Sequence, residues 1–204
     1  MGFYSRVIFP KIVDLTLGRP GIEKLRRRLL ANVEGKTLEV GFGTGLNVPH
    51  YPGSVTSLTA IDNSEGLTAF AKRRIADAPF PVEFVTMSGE SLPFADGTFD
   101  SVVFTFTLCS IADVEGALRE AHRVLKTGGR LFLLEHGRSP SKWISRIQDI
   151  LNPTQKFLAE GCHLNRDMKA LIADSRFQKS RIQTYYFEEF PKIMGFFYQG
   201  YAEK

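Results

Sequence analysis

A chain of 204 residues with 43% hydrophobic and 12% aromatic content can bury one substantial core, which excludes a disordered reading and makes a single compact domain the default. The formal charge of +4 and a pI near 9.1 are too small an excess to point to nucleic acid, and the densest basic run, Lys24-Leu25-Arg26-Arg27-Arg28, reads as the solvated face of a helix. Two cysteines, Cys109 and Cys162, cannot make a disulfide framework, so a reducing cytoplasm fits best.

In chain order, Gly2 to Gly18 sets Phe3, Val7, Ile8, Ile12 and Leu15 on roughly one helical side, with Arg6 and Lys11 on others. Arg6, Pro10, Lys11 and Asp14 interrupt the stretch too often for a spanning helix or a signal peptide. Pro10 divides it into two short pieces, expected to cover a ligand site, with peripheral contact to a membrane as the alternative. After Pro20-Gly21 a helix runs to about Asn32 with Ile22, Leu25 and Leu29 inward, and Gly35 turns into the first strand. Residues 1–32 are thus expected as a helical lid on a domain spanning 33–204.

Thr37 to Asn47 reads Thr-Leu-Glu-Val-Gly-Phe-Gly-Thr-Gly-Leu-Asn, a buried strand that stops in a tight loop carrying Gly41, Gly43 and Gly45 and then opens a helix. Glycine lets such a loop turn sharply and lets a ligand approach its backbone, and a helix end adds unpaired N–H groups. A dinucleotide site prefers two residues between its second and third glycines, and only Thr44 stands there. Glu39, inside the strand, would oppose a pyrophosphate but attract a cation. Both features favour S-adenosylmethionine, which carries an ammonium and a sulfonium, over a nicotinamide dinucleotide.

Pro49, Pro52 and Gly53 keep the next helix short, and a second strand, Ser57 to Ile61, ends at Asp62. That acid lies about 20 residues beyond the first glycine, where a nucleotide-binding α/β unit presents a carboxylate to ribose hydroxyls. Asn63 and Ser64 are free to cap the following helix, Glu65 to Ala76, with Leu67, Phe70, Ala71 and Ile75 on its buried face. Val82 to Met87 and Ser101 to Phe106 are the third and fourth strands. Residues beyond the carboxyl ends of central strands face the ligand, which places Thr105, Phe106, Thr107 and on to Cys109 near the reacting atoms. Asp113 caps a helix to about Leu125, and Thr127-Gly128-Gly129 turns it into a fifth strand, Arg130 to Leu134, ending in Glu135-His136. Trp143 to Leu158 is helical with a break at Pro153, Asn165 caps a helix carrying Met168, Leu171 and Ile172, and Lys179 to Phe187 with Ile193 to Tyr201 form a hairpin. Five strands alternating with helices, then a hairpin, predict an α/β fold with a mostly parallel sheet and one antiparallel member.

Leu38-Glu39-Val40-Gly41-Phe42-Gly43-Thr44-Gly45 resembles the first motif of the class I S-adenosylmethionine-dependent methyltransferases, and Asp62, the Leu92-Pro93-Phe94 turn and the Gly128-Gly129 turn follow in that family's order. The resemblance covers about Val33 to the C-terminus and implies a Rossmann-like, seven-stranded sheet with a C-terminal antiparallel hairpin. It also implies a cofactor site built from Glu39, Gly41, Gly43, Gly45, Asn47, Asp62, Asn63, Ser88, Gly89, Glu90, Thr105, Phe106 and Thr107. Ser88-Gly89 would lie beside the adenine, with Ser88 in place of the commoner acid.

Methyl transfer from a sulfonium is an in-line displacement, so such a protein mainly positions the partners and excludes water. The spacing shows no Cys/His cluster of zinc type and no nucleophile elbow, and no metal is expected. His136, at the end of the fifth strand, is the first candidate for a general base and His163 the second. Cys109, His136 and Asn165 are expected in the acceptor pocket. Leu133-Leu134-Glu135-His136 and Gly161-Cys162-His163-Leu164-Asn165-Arg166 look like the matching parts of methyltransferase-like proteins acting on small thiols, and of bacterial enzymes assigned to phospholipid amines. The expected activity is therefore methylation of a small-molecule acceptor, preferably a thiol or sulfide, alternatively a lipid amine or a quinone-type ring. Readings from other classes are a nicotinamide oxidoreductase and a catalytically silent cofactor-binding module.

Overall fold

The computed structural model describes residues 4–64 and 68–204, with the side chains of residues 5 and 6 left out of the description. Seven strands form one sheet in the order β3-β2-β1-β4-β5-β7-β6. They are β1 (Gly35–Val40), β2 (Val55–Asp62), β3 (Val82–Thr86), β4 (Phe99–Thr105), β5 (Leu125–His136), β6 (Lys179–Tyr186) and β7 (Phe196–Glu203). The first five pair in parallel, while β7 runs antiparallel to both neighbours, so the C-terminal hairpin is inserted with its second strand inside and its first on the edge. Parallel strands need covered faces. Accordingly β1 and β4 read as continuous buried runs, Leu38, Val40, Val102 and Phe104 packing to one side and Val103, with Phe132 beside it on β5, to the other.

Helices α1 (Phe9–Leu17), α2 (Pro20–Leu30), α3 (Ala69–Ala76), α4 (Val114–Val124), α5 (Lys142–Leu158) and α6 (Met168–Ala173) cover the sheet and its carboxyl ends. Ile22, Leu25 and Leu29 of α2 and Val114, Ala117, Leu118, Ala121 and Val124 of α4 are buried as their spacing predicts. Asp113 caps α4 by accepting from the Gly116 N–H at 2.8 Å.

Five sequence expectations change. The glycine loop opens no α-helix: only a 3₁₀ turn, Val48–His50, follows it, because Pro49 and Pro52 deny a longer ladder. The third helix, Ala69–Ala76, is capped by Thr68 and not by Asn63 or Ser64; Phe70 is exposed, and residues 65–67, including Glu65 and Leu67, lie outside the described residues. Pro153 does not break α5, which runs through it. The last helix is capped by Asp167, whose carboxylate accepts from the Ala170 N–H, and not by Asn165. At the N-terminus a π-helical turn, Tyr4–Ile8, leads into α1, with Pro10 accommodated in its first turn. Phe9, Ile12, Val13 and Leu17 of this helix line the cavity, whereas of the apolar side expected from the sequence Val7, Ile8, Ile12 and Leu15 are exposed and Phe3 lies outside the described residues.

Candidate active site

The carboxyl ends of β1, β2, β4 and β5 open into a cavity of about 760 Å³, within the usual range for small-ligand sites. One end is the glycine loop. Gly41 has φ +79, and a Cβ there would stand 2.2 Å from Thr107 Oγ1, so the close approach of the glycine loop to the loop after β4 admits no side chain. Gly43, at φ +56, is different: nothing lies within 4 Å of where its Cβ would stand, and that open space is the cradle a close-approaching ligand needs. Asp62, at the end of β2, takes the Gly43 N–H on Oδ2 and the Ser64 N–H on Oδ1, both at 2.8 Å, and so fixes the loop it faces.

Glu39 lies on the cavity floor, 1% exposed. Its carboxylate accepts from Asn47 Nδ2 at 2.9 Å and the Tyr51 hydroxyl at 2.8 Å. Arg26, from the run read as solvated, is also buried: it donates to Asn47 Oδ1 at 2.7 Å and Thr105 Oγ1 at 3.1 Å, and its guanidinium lies 5.5 Å from the Phe106 ring. The helical period hid this, since Arg26 stands beside Leu25 and Leu29 on the inner face of α2. Burial pushes Glu39 up to about 7, against the hydrogen bonds from Tyr51 and Asn47 and the charge of Arg26. Burial likewise lowers Arg26 to about 10, with Glu39 opposing. A carboxyl whose folded pKa lies above its unfolded one stabilises the fold below the unfolded value and loses that contribution as pH rises through the folded value. Folding stability should thus fall by a few kcal/mol between about pH 4.5 and 7 on account of Glu39. Urea unfolding of the parent and Glu39→Gln across that window checks it: the parent should lose stability relative to the variant as pH rises, and a pH-independent difference would reject the assignment.

Of the other expected cofactor residues, Asn63, Ser88, Gly89, Glu90, Thr105, Phe106 and Thr107 line the cavity, as do Gly41 and Gly43. Glu90 also accepts the Asp113 N–H at 2.8 Å, tying the loop after β3 to the start of α4. Gly45 and Asn47 do not line it: Gly45 packs under the Phe42 ring, and Asn47 is a buried bridge between Arg26, Glu39 and Thr105. Phe106 takes φ +54, uncommon for a bulky residue, and is held by an edge-to-face contact with Phe197 at 5.5 Å. Glu135, fully buried, receives the Thr107 and Leu108 N–H groups on Oε1 at 2.7 and 2.8 Å and so shapes the loop after β4. Burial raises it to about 7, opposed by those two N–H groups.

The cavity wall also gathers residues that are 26 or more positions apart. His136 Nε2 lies 3.0 Å from Cys162 Sγ, and Cys162 Sγ lies 3.7 Å from Cys109 Sγ. All three line the cavity. The loop carrying Cys162 is pinned there by the His163 N–H to the Cys109 carbonyl at 2.8 Å and by Arg166 donating to the Leu108 carbonyl. Hydrogen bonding with Cys109, together with the His136 charge, holds the Cys162 thiol well below the ordinary range against burial, and Cys109 is pushed up in turn. Burial opposes a charge on His136, and the Cys162 sulfur outweighs it, raising the imidazole. The expectation of no Cys/His cluster therefore fails, because sequence spacing is blind to a cluster assembled from three separate loops. Two further expectations fail here. His163 Nδ1 faces Asn152 Nδ2 at 3.3 Å, and Asn165 donates to Asp149 Oδ1 at 2.8 Å; neither residue lines the cavity.

A parallel sheet with a glycine loop after its first strand and an acid at the end of its second defines a Rossmann-like enzyme that binds a nucleoside at the strand ends. The methyltransferase domain family matches residues 38–133. Human thiol S-methyltransferase TMT1A is 35% identical over 171 residues, covering 78% of this chain and 69% of the relative. Phosphatidylethanolamine N-methyltransferase of Cereibacter sphaeroides is 31% identical over 172 residues, covering 82% and 83%. An S-adenosylmethionine-dependent methyltransferase structure from Thermotoga maritima shares the fold with a TM-score of 0.70 at 22% identity, covering 98% of this chain and 97% of that one. The chain belongs to the class I S-adenosylmethionine-dependent methyltransferases, and S-adenosylmethionine is its cofactor.

Proposed function

We propose that this chain transfers a methyl group to a small thiol or sulfide. The observation that carries the reading is the part of the cavity wall where Cys109, His136 and Cys162 offer a soft, polarisable surface. Similarity to human thiol S-methyltransferase TMT1A supports it. The cofactor supplies an electrophilic methyl on a sulfonium. The chain's part is to seat the cofactor with Gly41, Gly43 and Asp62, to place a buried carboxylate, Glu39, under its cationic end, and to keep water out with the apolar side of α1, which we assign as a lid. His136 does not stand as an isolated base, since its Nε2 is engaged by Cys162.

Labelled-methyl transfer into a panel of alkyl thiols, ethanolamine lipids in vesicles and phenols, read by mass spectrometry, tests the substrate class. Thioether formation is expected; vesicle-dependent lipid methylation with no thiol product would replace the thiol reading. That second reading has an observation of its own. Trp143, Ile150 and Phe157 are exposed at seven-residue intervals along α5, Ile8, Ile12 and Leu15 are exposed on the N-terminal segment, and Tyr4 donates to the Leu158 carbonyl to join the two segments. Such a face suits a lipid surface. Among the described residues no helix is long and apolar enough to cross a membrane.

Asp62→Ala should weaken S-adenosylmethionine binding by about 1–3 kcal/mol, because the ribose loses a charged acceptor and the Gly43 N–H loses its anchor. Calorimetry giving equal affinity for variant and parent would remove the ribose assignment.

A further inference from the structure

We propose that Cys109, His136 and Cys162 form a binding site for one thiophilic divalent cation, zinc being the type, with its fourth coordination position open to the cavity. The three ligand atoms lie within 4.8 Å of one another, and all three residues border the cavity. Tetrahedral zinc with Zn–S near 2.3 Å and Zn–N near 2.0 Å sets a sulfur-to-sulfur edge of about 3.8 Å and a nitrogen-to-sulfur edge of about 3.5 Å. The Cys109 to Cys162 separation of 3.7 Å already matches the first, and the His136 to Cys162 separation of 3.0 Å has only to open slightly. Two sulfurs and one imidazole are a donor set that selects zinc over magnesium or calcium, and three protein ligands with an open fourth position are the arrangement of catalytic rather than structural zinc. The scaffold holds the ligands independently of any ion. Cys109 follows β4 in the loop anchored by Glu135, His136 ends β5, and Cys162 is carried by the loop that His163 and Arg166 fasten to residues 108 and 109. The buried Nδ1 of His136 has no hydrogen-bond partner among the described residues, so no such bond holds the ring away from an ion.

The use of the fourth position rests on the thiol reading above. A thiol ligating the ion gives its S–H proton to solvent and becomes a thiolate at neutral pH. The ligated thiolate then attacks the sulfonium methyl carbon: the new S–CH₃ bond forms as the cofactor's S–CH₃ bond breaks, leaving S-adenosylhomocysteine and a neutral thioether. A thioether is a weaker ligand than a thiolate and is released. Two cysteine thiolates and a dipositive ion sum to zero charge, so the acceptor thiolate makes the centre anionic and draws the sulfonium towards it.

Titration of the chelator-treated, reduced protein with Co²⁺ as a spectroscopic stand-in tests the site. One equivalent should bind with thiolate-to-metal absorption, and Cys109→Ser, Cys162→Ser and His136→Ala should each weaken binding by about 100-fold or more. Unchanged S-adenosylmethionine affinity in each variant shows that it folds. Adding a small alkyl thiol should shift the visible cobalt bands. No thiolate band, equal Co²⁺ affinity in Cys162→Ser, or a Cys109–Cys162 disulfide in peptide maps of protein isolated without oxygen would overturn the site. Full thiol methylation by metal-free enzyme would overturn the ligated thiolate while leaving the thiol reading intact, whereas tight Co²⁺ binding with no thiol product would leave the site and remove the substrate class.

Discussion

Gly43→Val should abolish S-adenosylmethionine binding in a protein that still folds. Its Cβ would meet no heavy atom within 4 Å, so the substitution displaces no core contact; the added branches instead project into the space over the loop. A β-branched residue at φ +56 is also strained, which moves the loop off the geometry that the Asp62 bond holds. Gly43→Ala separates the two effects, because alanine tolerates the left-handed region at a cost of about 1–2 kcal/mol and adds only one methyl. Calorimetry with circular dichroism decides the matter: folded Gly43→Val that binds at parental affinity would reduce the loop to an ordinary turn. Gly41→Ala should behave differently, since its Cβ would strike Thr107, and loss of stability should precede loss of binding.

Glu135→Leu is expected to destabilise the fold by about 2–5 kcal/mol, although the residue does not border the cavity. Leucine fills the volume but strands the Thr107 and Leu108 N–H groups in an interior where Glu135 has no exposure. Glu135→Gln keeps an oxygen for both groups and should cost under about 1 kcal/mol. Denaturant unfolding of the two variants tests this, and equal stabilities would show that the two N–H groups find other partners. If the prediction holds, the leucine variant should also lose methyl transfer, because the same loop positions Phe106, Thr107 and Cys109 on the cavity wall.

The local parts of this site could be read from the chain because their physics is local. A run of buried residues ending in glycines, an acid one strand later, and a capped amphipathic helix each express a constraint that neighbouring residues impose on one another. Arg26 and Asn47 show the limit. Arg26 sits in a run of five basic-rich positions, yet the helical period turns it inward, where it donates to a side chain 21 positions away and another 79 positions away. Glu39, expected to attract a cationic ligand, does border the cavity, and its two oxygens are fixed there by Asn47 and Tyr51, neither of which the strand's own sequence points to.

By itself the sequence determined the parallel sheet, the place of the antiparallel hairpin, the glycine loop with Asp62 opposite it, and the choice of S-adenosylmethionine over a dinucleotide. These follow from periodicity, turn chemistry and short spacings, which fold-wide packing does not alter. The tertiary structure alone decided which residues of α1 meet the cavity and that Asn165 and His163 stand apart from the site. It also brought Cys109, His136 and Cys162 within reach of one another. These depend on hydrogen bonds between residues far apart in the chain, such as Arg166 to the Leu108 carbonyl, 58 positions away, and Tyr4 to the Leu158 carbonyl, and no spacing rule records where such segments will land.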